Sequence, residues 1–155
     1  MLERAFPLVL LAIFTLLARP STRTTSQDEQ ELRRIETTTG RGEQKNDVSV
    51  MSVFASDWVA SSTKKVLSRQ QAEENIKTNF LAHDNGPNPY TIEKKNMQVY
   101  LFGDTAVVTY IKEYRQTRDT TQFFDEDDTD VFKRGSKGWL VQFSKISAVV
   151  DTPAN

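Results

Sequence analysis

Apolar residues change their spacing twice along this chain, and each change marks a different kind of segment. Residues 6–17 (FPLVLLAIFTLL) form a charge-free run of twelve behind Arg4. A spanning helix takes roughly 20 apolar residues, so this run fits the apolar centre of a secretory signal peptide. A cut after Ala18 leaves a small residue at −1, although Leu16 at −3 is large. The sequence therefore predicts an exported protein, periplasmic or secreted. Two competing readings are an uncleaved leader that anchors the chain in the membrane and a buried first helix. Residues 1–25 are read as signal peptide and linker, 26–151 as one domain and 152–155 as a tail.

From residue 26 the spacing is helical. Ser26 and Glu29 have the S-x-x-E form of a capping box, in which each side chain satisfies the other residue's free backbone N–H. Leu32 and Ile35 follow three residues apart, and residues 37–42 (TTTGRG) combine β-branched residues with two glycines, which predicts that the helix ends or frays there. Asp47 is a candidate cap for a second helix with Val48, Met51, Phe54 and Ala55 on one face. Residues 57–60 (DWVA) look extended. Ser68 and Gln71 form a second capping box, with Ala72, Ile76 and Phe80 continuing at four-residue steps until the breaker cluster DNGPNP at residues 84–89.

Beyond Tyr90 the period becomes extended. Strands are predicted over residues 91–102, 105–117, 121–134 and 139–150, joined by connectors short enough to force antiparallel neighbours. Strands this long call for bulges and strong curvature. Helices first and a meander afterwards is an α+β arrangement, and a curved sheet with helices over its concave face encloses a pocket.

Composition narrows the chemistry. With 155 residues there is room for one core. The chain has no cysteine and one histidine, His83, which excludes disulfides, thiolate chemistry and multi-histidine metal sites. Net charge is −1, and without residues 1–25 there are 17 basic against 20 acidic residues. That is no footprint for nucleic acid. Nucleophile-elbow, P-loop and dinucleotide motifs are absent from the sequence. No cofactor and no metal are expected, and once the leader is removed no membrane partner is either.

Local wording adds a resemblance. Residues 54–59 (FASDWV), 66–72 (VLSRQQA), 103–109 (GDTAVVT), 129–132 (TDVF) and 138–141 (GWLV) together resemble the NTF2-like, or SnoaL-like, superfamily, and within it the DUF4440 branch. The likeness covers roughly residues 28–150. It implies a cone of about three N-terminal helices and a curved, mainly antiparallel sheet around a pocket, often dimeric through the sheet. Relatives include ketosteroid isomerase, polyketide cyclases and non-catalytic binding or assembly domains, so the resemblance chooses no reaction. Lys145 stands where many members of that branch carry histidine or glutamine, which weakens any transfer of a histidine-based mechanism.

The expected function is an exported domain binding a small hydrophobic molecule in its pocket. The alternatives are a cofactor-free isomerase, dehydratase or cyclase, and a dimerisation or assembly module. Enzyme and binder separate by geometry, because catalysis requires a carboxylate base and an oxyanion donor converging in the cavity. Asp57, at a helix-to-strand corner, and Asp130, on a strand, are the candidate bases. Trp58, Tyr100, Tyr110 and Phe143 are the candidate pocket residues. The competing reading of Asp57 is a corner hydrogen bond, and that of His83 a helix C-terminal cation. Alternation puts Glu126, Asp128, Asp130 and Phe132 on one face of their strand. The acidic run is read chiefly as a solvated face or guarded edge. Its burial would instead raise the carboxyl pKa values. Five acids between residues 125 and 130 also suggest Ca²⁺, though an EF-hand's spacing and glycine are missing.

Overall fold

The computed structural model describes residues 24–62, 65–78, 90–117 and 123–150. The expected leader, His83, Phe80 and the breaker cluster lie outside them. Among the described residues no helix is long and apolar enough to cross a membrane.

Helix α1 spans Thr25–Gln44. Its capping box forms two residues earlier than the sequence suggests: Thr24 Oγ1 accepts from the Gln27 backbone N–H at 3.3 Å, and Gln27 Oε1 from that of Thr24 at 3.0 Å. That start buries Asp28 in the first turn, where its carboxylate pairs with Arg134 and accepts from Trp139 Nε1 at 3.4 Å. The helix does not stop at residues 37–42. Thr39, Gly40 and Gly42 are buried, and the glycines are what the packing requires. A Cβ on Gly42 would lie 1.9 Å from Val50 Cγ1, and one on Gly40 would rest against the Lys94 stem at 3.6 Å. Close approach of the next segment outweighs the modest helix propensity lost at glycine.

Asp47 caps as expected, its Oδ1 accepting from the Ser49 backbone N–H at 3.0 Å. The element it caps is a 3₁₀ helix, Val48–Val53, and Phe54 and Ala55 belong to the next strand. Helix α2, Arg69–Lys77, starts on the predicted Ser68–Gln71 box, and its buried residues are Ala72 and Ile76.

The strands are β1 (Phe54–Ser61), β2 (Val66–Ser68), β3 (Tyr90–Phe102), β4 (Thr105–Gln116), β5 (Phe123–Gly135) and β6 (Gly138–Val150). They form one mixed six-stranded sheet in the order β2-β1-β6-β5-β4-β3. The predicted meander β3 to β6 is antiparallel throughout, whereas β1 runs parallel to β6. Gly103 and Gly138, at φ +63° and +110°, make the tight turns that let these strands reverse. The expected bulges occur in β3 between Lys95 and Gln98 and in β6 at Gln142 and at residue 148, opposite Val131/Phe132 and Glu126/Asp127 of β5. Each bends its strand and increases local twist.

The core lies between the helices and the concave face of the sheet. Leu32 and Ile35 of α1 and Met51 of the 3₁₀ helix meet Trp58, Ala106, Val108, Phe132, Trp139 and Val141. Strand β5 is central, with β4 and β6 on its flanks, so its acidic run is no guarded edge. Alternation turns Asp128 and Asp130 inward, where each is no more than 5% exposed. The expectation of a solvated face is therefore corrected.

Candidate functional site: an apolar cone with a charged floor

A cavity of about 340 Å³, open on one side, lies between the concave sheet and α2. Its wall is apolar. Met51, Phe54, Trp58, Leu67, Ala72 and Ile76 line it, and Phe54 packs edge-on against Trp58 with ring centroids 5.1 Å apart. Lys65, which is exposed, and Ser62 stand at the rim. Both come from the connection between β1 and β2.

The floor is polar, because β3, β4 and β5 turn charged residues inward at matched register. Asp130 is clamped on both oxygens. Tyr110 Oη donates to Oδ2 at 2.8 Å, and Ser144 Oγ donates to Oδ1. Ser144 in turn accepts from Trp58 Nε1 at 3.0 Å. Lys94 Nζ donates to Glu36 Oε2 at 2.5 Å, to Thr39 Oγ1 at 3.1 Å and to Tyr110 Oη at 3.0 Å. A parallel set sits further along the strands: Lys112 Nζ pairs with Glu43 at 2.7 Å, and Tyr114 Oη donates to Glu126 at 2.9 Å.

Asp128 lies between these two networks, opposite Tyr110 across the β4–β5 pair. It is 5% exposed, and its Oδ1 has no hydrogen-bond partner. Burial pushes its carboxyl up to about 8. Lys112 opposes that rise, while Glu126 and Asp130 add to it. Glu36 is also raised to about 8, by burial first and then by the Asp130 carboxylate, against the pull of Lys94. Burial lifts the Tyr110 and Tyr114 phenols well above their ordinary value, so both remain protonated donors. Burial disfavours the Lys112 cation, but Glu43, Tyr114, Glu126 and Asp128 outweigh it and hold the charge on.

Of the residues singled out from sequence, Trp58, Tyr110 and Asp130 meet in the cavity. Asp57 does not: it is exposed, and its Oδ1 accepts from Gln142 Nε2 at 2.8 Å. Alternation along β1 turns the neighbours Trp58 and Asp57 to opposite faces. Tyr100 and Phe143 are likewise absent from the cavity lining. Tyr100 is 46% exposed and pairs with Val107, and Phe143 pairs with Val131 and Val59, all in one row across the other face. Asp128 is the residue that single-site reasoning passed over. Its signal was available, because it shares the alternation of Glu126, Asp130 and Phe132. The same alternation divides the five acids between two faces, and among the described residues no group of three or more acids or histidines is placed to hold a metal ion.

No protein-family model and no curated protein matches this sequence. Solved structures do match its shape. One is a protein of unknown function with a cystatin-like fold from Nostoc punctiforme, at a TM-score of 0.71 and 15% identity over 84% of this chain and 97% of that one. Another is an NTF2-like protein from Pseudomonas putida, at 0.69 and 19% identity over 84% and 92%. A third is the association domain of CaMKII from C. elegans, at 0.66 and 13% identity over 79% and 97%. At these identities the likeness speaks for the backbone, and it joins the helix-covered, curved six-stranded sheet in one conclusion: this chain has the NTF2-like, cystatin-like fold.

Proposed function

We propose that this protein is a binding domain for a small hydrophobic molecule, which lies along the Phe54–Trp58 wall and turns one polar end to the floor. The observation that carries this reading is the open cavity of about 340 Å³ whose apolar wall ends at a polar floor. Few, well-placed polar groups in an apolar cleft are the usual makeup of a small-molecule site. The hydrophobic leader supports an exported location, in the envelope or outside the cell, and the local motifs support placement near the DUF4440 branch.

The test is binding of an environment-sensitive naphthalene dye by fluorescence, in the unmodified chain and in Ala72→Phe, which fills the cavity from α2. The expected result is saturable binding that Ala72→Phe abolishes with the fold intact. Binding that survives the filled cavity would place the dye elsewhere and overturn the reading.

A catalytic reading, as isomerase, dehydratase or cyclase, is favoured by one feature: a base with a pKa near the working pH suits proton abstraction. That base is Asp128, because both oxygens of Asp130 are already engaged. Deuterium uptake at the α-carbon of 4-phenylbutan-2-one in D₂O, lost in Asp128→Asn, is the expected signature. Uptake no faster than in buffer rejects it.

Assembly of two copies through the other sheet face is favoured by its continuous apolar row. Tyr100, Val107, Val131, Phe143 and Val59 are paired in register across five strands, with Phe102 65% exposed beside them. One protein of this shape is itself named an association domain. Sedimentation of the chain as a dimer, and of Val131→Lys as a monomer, is expected. A monomer at high concentration overturns it.

A further inference from the structure

Resting on the binding reading above, we propose that the end of the ligand away from the floor is a carboxylate, held at the mouth of the cavity by Lys65 and Asn75. The ligand is then a hydrophobic organic acid whose apolar body runs inward along the Phe54–Trp58 wall.

Unspent hydrogen-bonding capacity picks out the mouth. Among the described residues, three polar side chains of the cavity lining have neither a hydrogen bond nor an ion pair: Lys65, Asn75 and Asp128. Asp128 is 5% exposed, and its Oδ1 is closed to solvent. Lys65 is exposed and Asn75 half-buried, so a ligand reaches both. Asn75 shares the inner face of α2 with Ala72 and Ile76, three residues after one and next to the other. Lys65 leads straight into β2, and Ser68 at the end of that strand caps α2. One short stretch, residues 65–76, therefore brings an ammonium and a carboxamide to the same cavity. An ammonium has donors only, and an amide NH₂ adds two more. An oxygen group able to accept several hydrogen bonds completes them, and the ammonium selects a charged one.

The floor turns an anion away. Its two lysines are already engaged: Lys112 is paired with Glu43 at 2.7 Å, and Lys94 donates to Glu36, Thr39 and Tyr110. Lys112 keeps a spare N–H, but an anion beside it would also stand beside Glu43 and Glu126, the latter 4.0 Å from that ammonium. Asp128 and Asp130 line the same end. A carboxylate at the floor would also give up its water, which is costly for an ion, whereas at the open mouth it keeps part of its hydration. The charges thus orient the molecule, with the acid end outward and the apolar body inward.

The experiment is isothermal titration calorimetry on the full chain at pH 7 with 4-phenylbutanoate, 4-phenylbutan-1-ol and 4-phenylbutan-1-amine, which share one apolar body. The acid is ionised there, since carboxyls of this kind titrate at about 4.3. Lys65→Glu removes one favourable charge and adds an unfavourable one at an exposed site. It is expected to weaken the acid about tenfold and to leave the alcohol within about twofold. Asn75→Asp keeps the shape and replaces the donors by a carboxylate. It is expected to weaken the acid by about tenfold or more and to spare the alcohol, which donates to the new acceptor. Raising NaCl from about 0.02 to about 1 M should weaken the acid about threefold relative to the alcohol. That series is read on the unmodified chain, so the conclusion does not depend on how the variants fold. Acid affinity that ignores salt or either variant overturns the carboxylate site and leaves the binding reading standing. So does an amine bound more tightly than the acid, or an alcohol that binds where the acid does not. If none of the three binds and Ala72→Phe leaves the naphthalene dye unaffected, the binding reading fails and the carboxylate falls with it.

Discussion

Glu36 and Asp128 are two buried carboxyls raised to the same range by the same cause, and they do different things. Glu36 sits on α1 above β3, 1% exposed, with Lys94 donating to its Oε2. The helix covers it, so it joins α1 to the sheet. Asp128 sits on β5, two strands away from β3, and lines the cavity; each of the two acids has one buried oxygen without a hydrogen-bond partner. Burial alone therefore does not mark a functional acid. What distinguishes the two is that a lysine ammonium holds Glu36, at 2.5 Å from Lys94, whereas Asp128 has a place in the cavity lining.

Lys94→Met should be the most damaging way to break the seam. It removes donors from Glu36, Thr39 and Tyr110 together, and stripping one partner from a buried polar network costs about 3–5 kcal/mol. Urea denaturation measures it, and a loss under about 1 kcal/mol would show that the seam contributes little. Replacing both partners, as in Lys94→Met with Glu36→Leu, should recover most of that loss.

pH sharpens the contrast. Both carboxyls have folded values above their unfolded ones, 4.5 and 3.8. Between about pH 4 and 8 the unfolded chain therefore releases protons that the folded chain keeps, and stability falls as pH rises through that window, then levels. Asp128→Asn should be near neutral at pH 4 and stabilising by about 1–3 kcal/mol at pH 8, as expected when a costly buried charge is removed. Midpoints that rise from pH 4 to 8, or a variant no more stable at pH 8 than at pH 4, would count against the raised values.

Gly42→Ala tests the seam from its packing side. Alanine favours a helix by about 1 kcal/mol, yet its Cβ would overlap Val50. A net destabilisation of about 1–3 kcal/mol is expected, relieved by Val50→Ala. A gain in thermal midpoint would mean that the contact yields freely. The smallest effect belongs to Trp58→Phe at the cavity wall. It keeps most of the ring and loses the bond to Ser144, for about 1 kcal/mol by chemical denaturation.

Local chemistry was enough to set the four long strands and their turns. They follow from β-branched and aromatic alternation broken by Gly103-Asp104 and residues 135–138, and the start of α2 follows from the Ser68–Gln71 box. That Asp57 and Trp58 point to opposite faces of β1 follows from the same alternation. Long-range packing settled the remainder. Residues 37–42 are poor helix on their own and are helical because Gly40 and Gly42 admit Lys94 and Val50. Asp57 and Tyr100 fall outside the cavity because packing across the sheet sets which side the helices cover, and no local pattern states that. Asp128 rather than Asp130 is the acid with an unpartnered oxygen for the same reason. The two are equivalent by spacing, and only the folded chain brings Tyr110 and Ser144 onto one carboxylate and leaves an oxygen of the other without a partner.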